Sequence, residues 1–508
     1  MRSKFVTLAI ACTTCLSLSI ESSAQLPGNA SATMSNRTNW ADGVEQELST
    51  GNDKRKLYFE NIFEARIAIS EQFTAGLRHT TYQPSYWNER VTGIESLDKK
   101  WLQYSRDFYS IRVGNSYTSW GRGLTLSLQE DFDQGLDAGI DGLLLKFNKG
   151  PVAVEVIRGS SEDDPAGLTK PNDIEGINTE VSFTGGKVGA SYLRILPDGS
   201  YLEQKIPGGY VSYQKTIRGI GLVSGWVEAS WQAFPNKTKL NNRGWFGSFA
   251  VARKGLSILC EYKDYQYEKA FGNLLPFQAP PILQRELISK LMSSHPHNPR
   301  YEDEIGWQLE ANYKPSKRLG LSFYTAQSSI HHGSPLPSME EKESPFWEAL
   351  VETNWKVRPT TNLRFQVARF EEAIWNDQFG IASVHNERTG LLLGIQSPLF
   401  WKLTVDGSVE QMMTTNVLRD EDITDQYISA TFSIPGTGAF SVSFDHTDDD
   451  QEVGGPNWIG AELTAPIHDG IQIQCFGGKE RGGIKCSSGR CRLVNPFEGV
   501  RIGVEATF

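Results

Sequence analysis

VRIGVEATF, residues Val500–Phe508, closes the chain: Val500, Ile502, Val504, Ala506 and Phe508 are apolar and alternate with Arg501, Gly503, Glu505 and Thr507. Successive side chains of a β-strand point to opposite faces, so a period of two gives this strand one apolar and one polar face. Two settings accept such a strand. In a transmembrane barrel the apolar face meets lipid and the polar face meets the lumen. In a soluble sandwich the apolar face meets a second sheet.

The other end of the chain favours the barrel. Arg2 and Lys4 precede an apolar run over 5–20, followed by Ser22, Ser23 and Ala24. This is the pattern of a secretory signal peptide over residues 1–24, cleaved before Gln25, and the run is short for a transmembrane helix. Cys12 and Cys15 lack the upstream Leu of a lipoprotein signal. Losing Arg2, Lys4 and Glu21 removes two positive charges and one negative, so the formal charge moves from -10 to -11. An acidic exported chain is a poor nucleic-acid binder.

No linker or shift in composition divides the sequence, and strand-like segments recur to the end, so one large β domain is expected. No apolar helix-length run follows the signal, which does not count against barrel strands because they expose only alternate residues. Aromatic residues make up 11% of the chain, enough to furnish interfacial girdles.

Turn residues and longer polar stretches alternate. Tight turns are expected at 70–72, Gly114-Asn115, 148–150, Gly185-Gly186, Arg218-Gly219, Lys254-Gly255, 315–317, Ser397-Pro398, 435–438 and 466–470. Longer connections are expected at 83–100, 159–173, 234–243, 270–303, 329–344, 372–387, 414–425, 446–456 and 477–496. This rhythm matches the short periplasmic turns and long external loops of an outer-membrane barrel. The expected fold is an all-β, antiparallel up-and-down transmembrane barrel of about 22 to 24 strands over 56–508. Residues 25–55 are expected to form an N-terminal segment contributing at most a frayed first strand near 40–48. The roughly 30 residues before Lys56 are too few for a globular plug, so no TonB coupling is expected.

A lumen of this width calls for an inward-folded loop, and 270–303 is the candidate. Pro280-Pro281 precedes Ile282, Leu283, Leu287, Leu291 and Met292 at near-helical spacing, with Pro296 and Pro299 beyond, which predicts a short amphipathic helix. Constriction of the pore and packing on the external rim are equally compatible with it. His295-Pro296-His297 has no recognised metal-ligand spacing, and no metal is expected.

Cysteine usage fits export. Cys486 and Cys491 flank a short polar turn suited to a disulfide, which would staple a loop over 477–497. Cys260 and Cys475 sit within strands and are expected to be unpaired.

Four segments, Ser119-Trp120-Gly121-Arg122-Gly123-Leu124, Pro280-Pro281-Ile282-Leu283-Gln284-Arg285-Glu286, His295-Pro296-His297 and Gly482-Gly483-Ile484-Lys485-Cys486, resemble those of a family of large, porin-like Gram-negative outer-membrane barrels without a plug domain. The resemblance implies a bacterial outer-membrane location but supplies no substrate or catalytic residue. The end of the chain, with Val504, Ala506 and Phe508, resembles the assembly signal of such proteins, which implies barrel-assembly machinery and outer-membrane lipid as partners.

Chemistry is sparse. There is no His-Glu-x-x-His, Gly-x-Ser-x-Gly, phosphate-binding loop or dinucleotide turn, so no enzyme, cofactor or catalytic residue is expected. Acidic groups at Asp131, Asp133, Asp137 and Asp141, and at Asp445, Asp448, Asp449 and Asp450, do not follow the calcium-loop spacing and read as solvated carboxylates. Trp120, Trp226, Trp231, Trp245 and Trp307 are divided between girdles and a sugar path. Arg112, Arg122 and Arg364 are candidates for lining the pore and setting its field. The expected function is passive passage of small hydrophilic or anionic and carbohydrate-like solutes. The alternative is a non-conducting scaffold for an external polymer or secretion partner, with a rim hydrolase behind both.

Overall fold

A computed structural model describes residues 30–48, 50–83, 94–131, 136–161, 172–197, 203–233, 242–267, 277–285, 287–376, 381–487 and 490–508. The signal segment 1–24 and Asp133 lie outside the described residues.

Among the described residues, 24 strands form one closed antiparallel sheet, each paired with its neighbours in sequence. The first strand, Ser31–Gln46, pairs with the last, Phe497–Thr507, which closes the barrel. The closure includes the final residue: the Met34 N–H donates to the Phe508 carbonyl at 3.0 Å and the Phe508 N–H donates to the Met34 carbonyl at 2.8 Å. The barrel therefore begins at Ser31, not at residue 56. The pattern of its first strand is hidden because Asn36 and Thr38 take outward positions and hydrogen-bond Asn61 from the neighbouring strand (3.1 and 2.8 Å).

One rim carries only tight connections, at 69–72, 107–108, 150–151, 184–185, 218–220, 254–255, 314–318, 359–360, 399–403, 435–437 and 469–470. The chain end sits at this rim, and the longer connections lie at the other. Gly114-Asn115 is not a turn but part of the strand Tyr109–Ser116. Gly114 has a positive φ of 96°, and a Cβ there would strike the Lys100 carbonyl, so the glycine marks a close approach of backbones. The turn is instead at 107–108, where Asp107 adopts a left-handed φ of 36°. Strand Ile381–Pro398 runs through Ser397-Pro398, and the expected loops at 372–387 and 414–425 shrink to 377–380 and 417–420 because the strands on either side continue.

Register fixes the two faces. Phe365, Leu393, Val409, Ile428, Phe444 and Ile459 are direct cross-strand partners in one row on the outside of the wall. The next row, Gln366, Leu392, Glu410, Tyr427, Asp445 and Trp458, faces inward. At the closing strand Val500, Ile502, Val504 and Ala506 face outward beside Cys475, Ile473 and Ile471, so the terminal alternation divides as its period requires.

Candidate lumen site

Alternation fails on part of the inner wall, and there the barrel is filled. Leu144, Ile157, Ile174, Leu193 and Ile206 point inward and are buried. What covers them is the connection 117–139, a hairpin of Thr118–Trp120 and Leu126–Leu128 whose Trp120, Leu126 and Leu128 join the same apolar cluster. The sequence carried a signal for this: Leu143, Leu144 and Leu145 are apolar in succession, so both faces of that strand are dry.

The hairpin tip is built on glycine. Gly121 and Gly123 hold φ of 60° and 92°, and a Cβ on Gly121 would lie 2.5 Å from Glu228 Oε2. This curvature aims two backbone donors at one carboxylate. The N–H of Arg122 donates to Glu228 Oε2 at 2.6 Å and that of Leu124 to Oε1 at 3.1 Å.

The second in-folded segment, 277–303, grips the first. The Ala279 N–H donates to the Gly123 carbonyl (3.1 Å) and the Ser127 N–H to the Phe277 carbonyl (2.8 Å). From there the segment follows the inner wall. The Tyr265 hydroxyl donates to the Pro281 carbonyl (2.9 Å), and Leu283 packs with Leu124 and Phe246. Arg285 pairs with Glu352 at 3.1 Å, Ser289 Oγ donates to Glu410 at 2.6 Å, and Lys290 reaches Asp445 at 3.4 Å. Met292 fills a cluster with Tyr324, Leu350, Ala368, Phe370 and Leu392, over Gly390. These partners all face inward, so the loop occupies the lumen and not the rim.

The helix expected over 282–292 is only Lys290–Ser293, capped by Ser289. Wall side chains replace helical bonds upstream: Tyr265 satisfies the Pro281 carbonyl, and Glu410 takes the Leu291 N–H at 3.1 Å.

The segment ends in a buried polar knot. Lys263 and Glu304, essentially inaccessible, pair at 2.7 Å, and His297 Nε2 donates to the same Glu304 oxygen at 2.7 Å. Burial pushes the His297 imidazole down, but Glu304 and Glu372 outweigh it and hold the ring protonated above its usual range. Ser328 Oγ lies 3.2 Å from His297 Nε2 in a manner suggestive of a serine–histidine pair. That nitrogen already spends its proton on Glu304, so it has no lone pair to accept one from the hydroxyl. His297 also stacks on Phe346 at 4.2 Å, a latch rather than a metal ligand.

The expected acidic groups do not stay together. Asp137 pairs with Lys99, and Asp445 turns inward to Lys290. Glu421, Asp449 and Asp450 bring carboxylate oxygens within 4.8 Å of one another, on the long-loop rim. Trp120 is buried with its Nε1 on Glu155 (2.7 Å), Trp226 faces inward, and Trp231 meets Trp245 edge to face outside.

The three arginines all lie on the inner side. Arg112 donates to the Asn115 carbonyl (2.8 Å) and lies over Trp101. Arg364 pairs with Asp406. Arg122, on the hairpin tip, is exposed, its guanidinium 5.5 Å from the Trp226 ring centroid and 6.0 Å from that of Phe246. Cys486 and Cys491 are direct partners in the ribbon Gly483–Ser487 with Arg490–Val494, while their side chains lie outside the described residues. Cys260 and Cys475 are free.

The in-folded segments leave one side of the lumen uncovered. Arg66, Gln472, Gln474 and Glu505 point inward there and remain exposed.

Residues 1–378 match the model of a family described as "Family of unknown function (DUF6029)". No curated protein matches the chain. Among solved structures, Pseudomonas aeruginosa OccK9 (OpdG) is 12% identical, with 72% of this chain and 98% of that one covered, at a TM-score of 0.42. The translocation pore of the P pilus usher (PapC) is 8% identical over 94% of this chain and 99% of that one, at 0.46. A chain of the E. coli P pilus tip assembly intermediate PapC-PapD-PapK-PapG is 9% identical over 94% of this chain and 60% of that one, at 0.50. Identities this low speak to fold alone. With its match over residues 1–378, the chain belongs to the family of unknown function DUF6029.

Proposed function

We propose that the protein is a channel of the bacterial outer membrane that passes small hydrophilic solutes down their gradients through a lumen narrowed by 117–139 and 277–303. The observation that carries this reading is the contrast between faces: an unbroken outward row from Phe365 to Ile459, and an inward surface that stays polar and exposed at Arg66, Gln472, Gln474 and Glu505. Lipid satisfies the first and water the second. The rim of tight turns, where the chain ends, then faces the periplasm, and the long connections face outward. Export by a cleaved signal and insertion by barrel-assembly machinery acting on the terminal strand belong to the same reading. No catalytic step belongs to this reading, and the Ser328–His297 contact among the described residues is blocked by Glu304.

Planar bilayers test the proposal. Purified protein should give stable conductance steps, and detergent samples should migrate differently before and after boiling. A heat-modifiable barrel that stays silent in the bilayer would overturn the channel in favour of a scaffold with a blocked lumen.

A further inference from the structure

Arg122 has no carboxylate at ion-pair distance among the described residues, and its side chain is exposed. Arg364 is neutralised by Asp406, and Arg112 is turned onto a backbone carbonyl and a ring. Its exposure is built in. Two left-handed glycines and the carboxylate of Glu228 fix the backbone on both sides of Arg122, and the side chain between them is exposed. The surface beside it is aromatic. Trp226 stacks on Tyr210 with centroids 5.1 Å apart and planes 12° from parallel, and Lys187 lies 5.7 Å from each ring centroid. Lys187 is balanced by Glu180 at 2.8 Å, and the Tyr210 hydroxyl donates to the same carboxylate at 2.9 Å.

We propose that Arg122 and the Tyr210–Trp226 platform form a solute subsite for a monoanionic, hydroxyl-bearing molecule of the sugar-acid class. The proposal rests on the channel reading for its biological use, but not for its chemistry. A guanidinium in the field of Glu228 and Glu261 but in contact with neither is free to hold one carboxylate through two parallel N–H donors. Lys187, the other cation beside these rings among the described residues, is spent on Glu180, so a dianion gains no second partner there. The half-buried Trp226 ring, backed by Tyr210, suits the C–H face of a sugar, while Glu180 and Lys187 supply an acceptor and donors for hydroxyls.

The test is equilibrium binding to the whole barrel in detergent. Glucuronate should bind saturably by calorimetry and perturb tryptophan emission, and W226F should remove the emission change. Arg122→Gln should weaken glucuronate by about tenfold or more, the loss expected for a charge-assisted hydrogen bond, with the heat-modifiable mobility intact because Glu228 binds the backbone and not the side chain. Arg122→Lys should recover part of the affinity. Glucose, which lacks the carboxylate, should bind no better to the wild type than to Arg122→Gln. Equal glucuronate affinity in wild type and Arg122→Gln overturns the subsite, as does sulfate binding as tightly as glucuronate. Binding without conductance overturns the channel and leaves the subsite standing. Conductance without glucuronate binding overturns the subsite alone.

Discussion

The Arg122 backbone N–H and the Glu228 carboxylate, 106 residues apart, meet at 2.6 Å and pin an internal hairpin to the barrel wall. Gly121 makes that approach possible. Gly121→Ala places a methyl group 2.5 Å from the carboxylate and forces a left-handed conformation costing roughly 1–2 kcal/mol before any clash. The hairpin should detach locally, so hydrogen exchange at 118–128 should accelerate while the barrel wall stays protected. Unchanged exchange at those amides would refute the pinning role.

Gly390 lies under Met292, and a Cβ there would meet the thioether. Gly390→Leu overfills this contact, a change that typically costs about 1–3 kcal/mol. The cost falls on the docking of 277–303. Faster proteolysis within 287–300 and larger conductance steps are expected. If cleavage and conductance both match the wild type, the segment is not displaced and the narrowing assigned to it fails.

His331 gives the long-loop rim a pH response. Burial lowers its pKa, but Asp264 at 3.3 Å and Asp303 at 2.5 Å outweigh this and raise it to about 9. An unfolded histidine titrates near about 6.5. The folded form therefore holds the proton more tightly, and the stabilisation is complete below about 6.5 and lost as the pH rises through about 9. Limited proteolysis of 330–345 should be slow at pH 6 and faster at pH 10, with His331→Gln insensitive over that range. A flat wild-type profile removes the claim.

Phe508 closes the barrel through two backbone hydrogen bonds with Met34. Deleting it should lower the heat-modifiable, membrane-inserted fraction while leaving export and signal cleavage intact. Insertion at the wild-type level would argue against a role for the last residue in closure.

Cys486 and Cys491 are backbone register partners in a two-stranded ribbon. Alkylation under non-reducing conditions, read by mass, should label Cys260 and Cys475 and spare this pair. Labelling of both Cys486 and Cys491 would exclude the disulfide.

The class of fold is legible in the chain's local patterns. Period-two alternation at Val500–Phe508 and the repeated exchange of tight turns for long polar stretches are local properties, and local properties survive in a single chain read end to end. Its errors were local too. Gly114 resembled a turn because a close backbone approach and a turn both favour glycine, and the first strand was obscured by outward Asn36 and Thr38, which both accept from the Asn61 amide across the sheet. Only the tertiary structure decided what fills the lumen. Glu228 looks like any strand carboxylate until Gly121 and Gly123 bring two amide donors to it, and Glu410 and Glu304 find their partners more than a hundred residues away or across the wall. The register of 24 strands sets which carboxylates point inward, and the two in-folded segments set which of them are answered. Arg122 emerges from that sorting as a charge left facing the lumen, a fact that depends on distances no spacing in the sequence encodes.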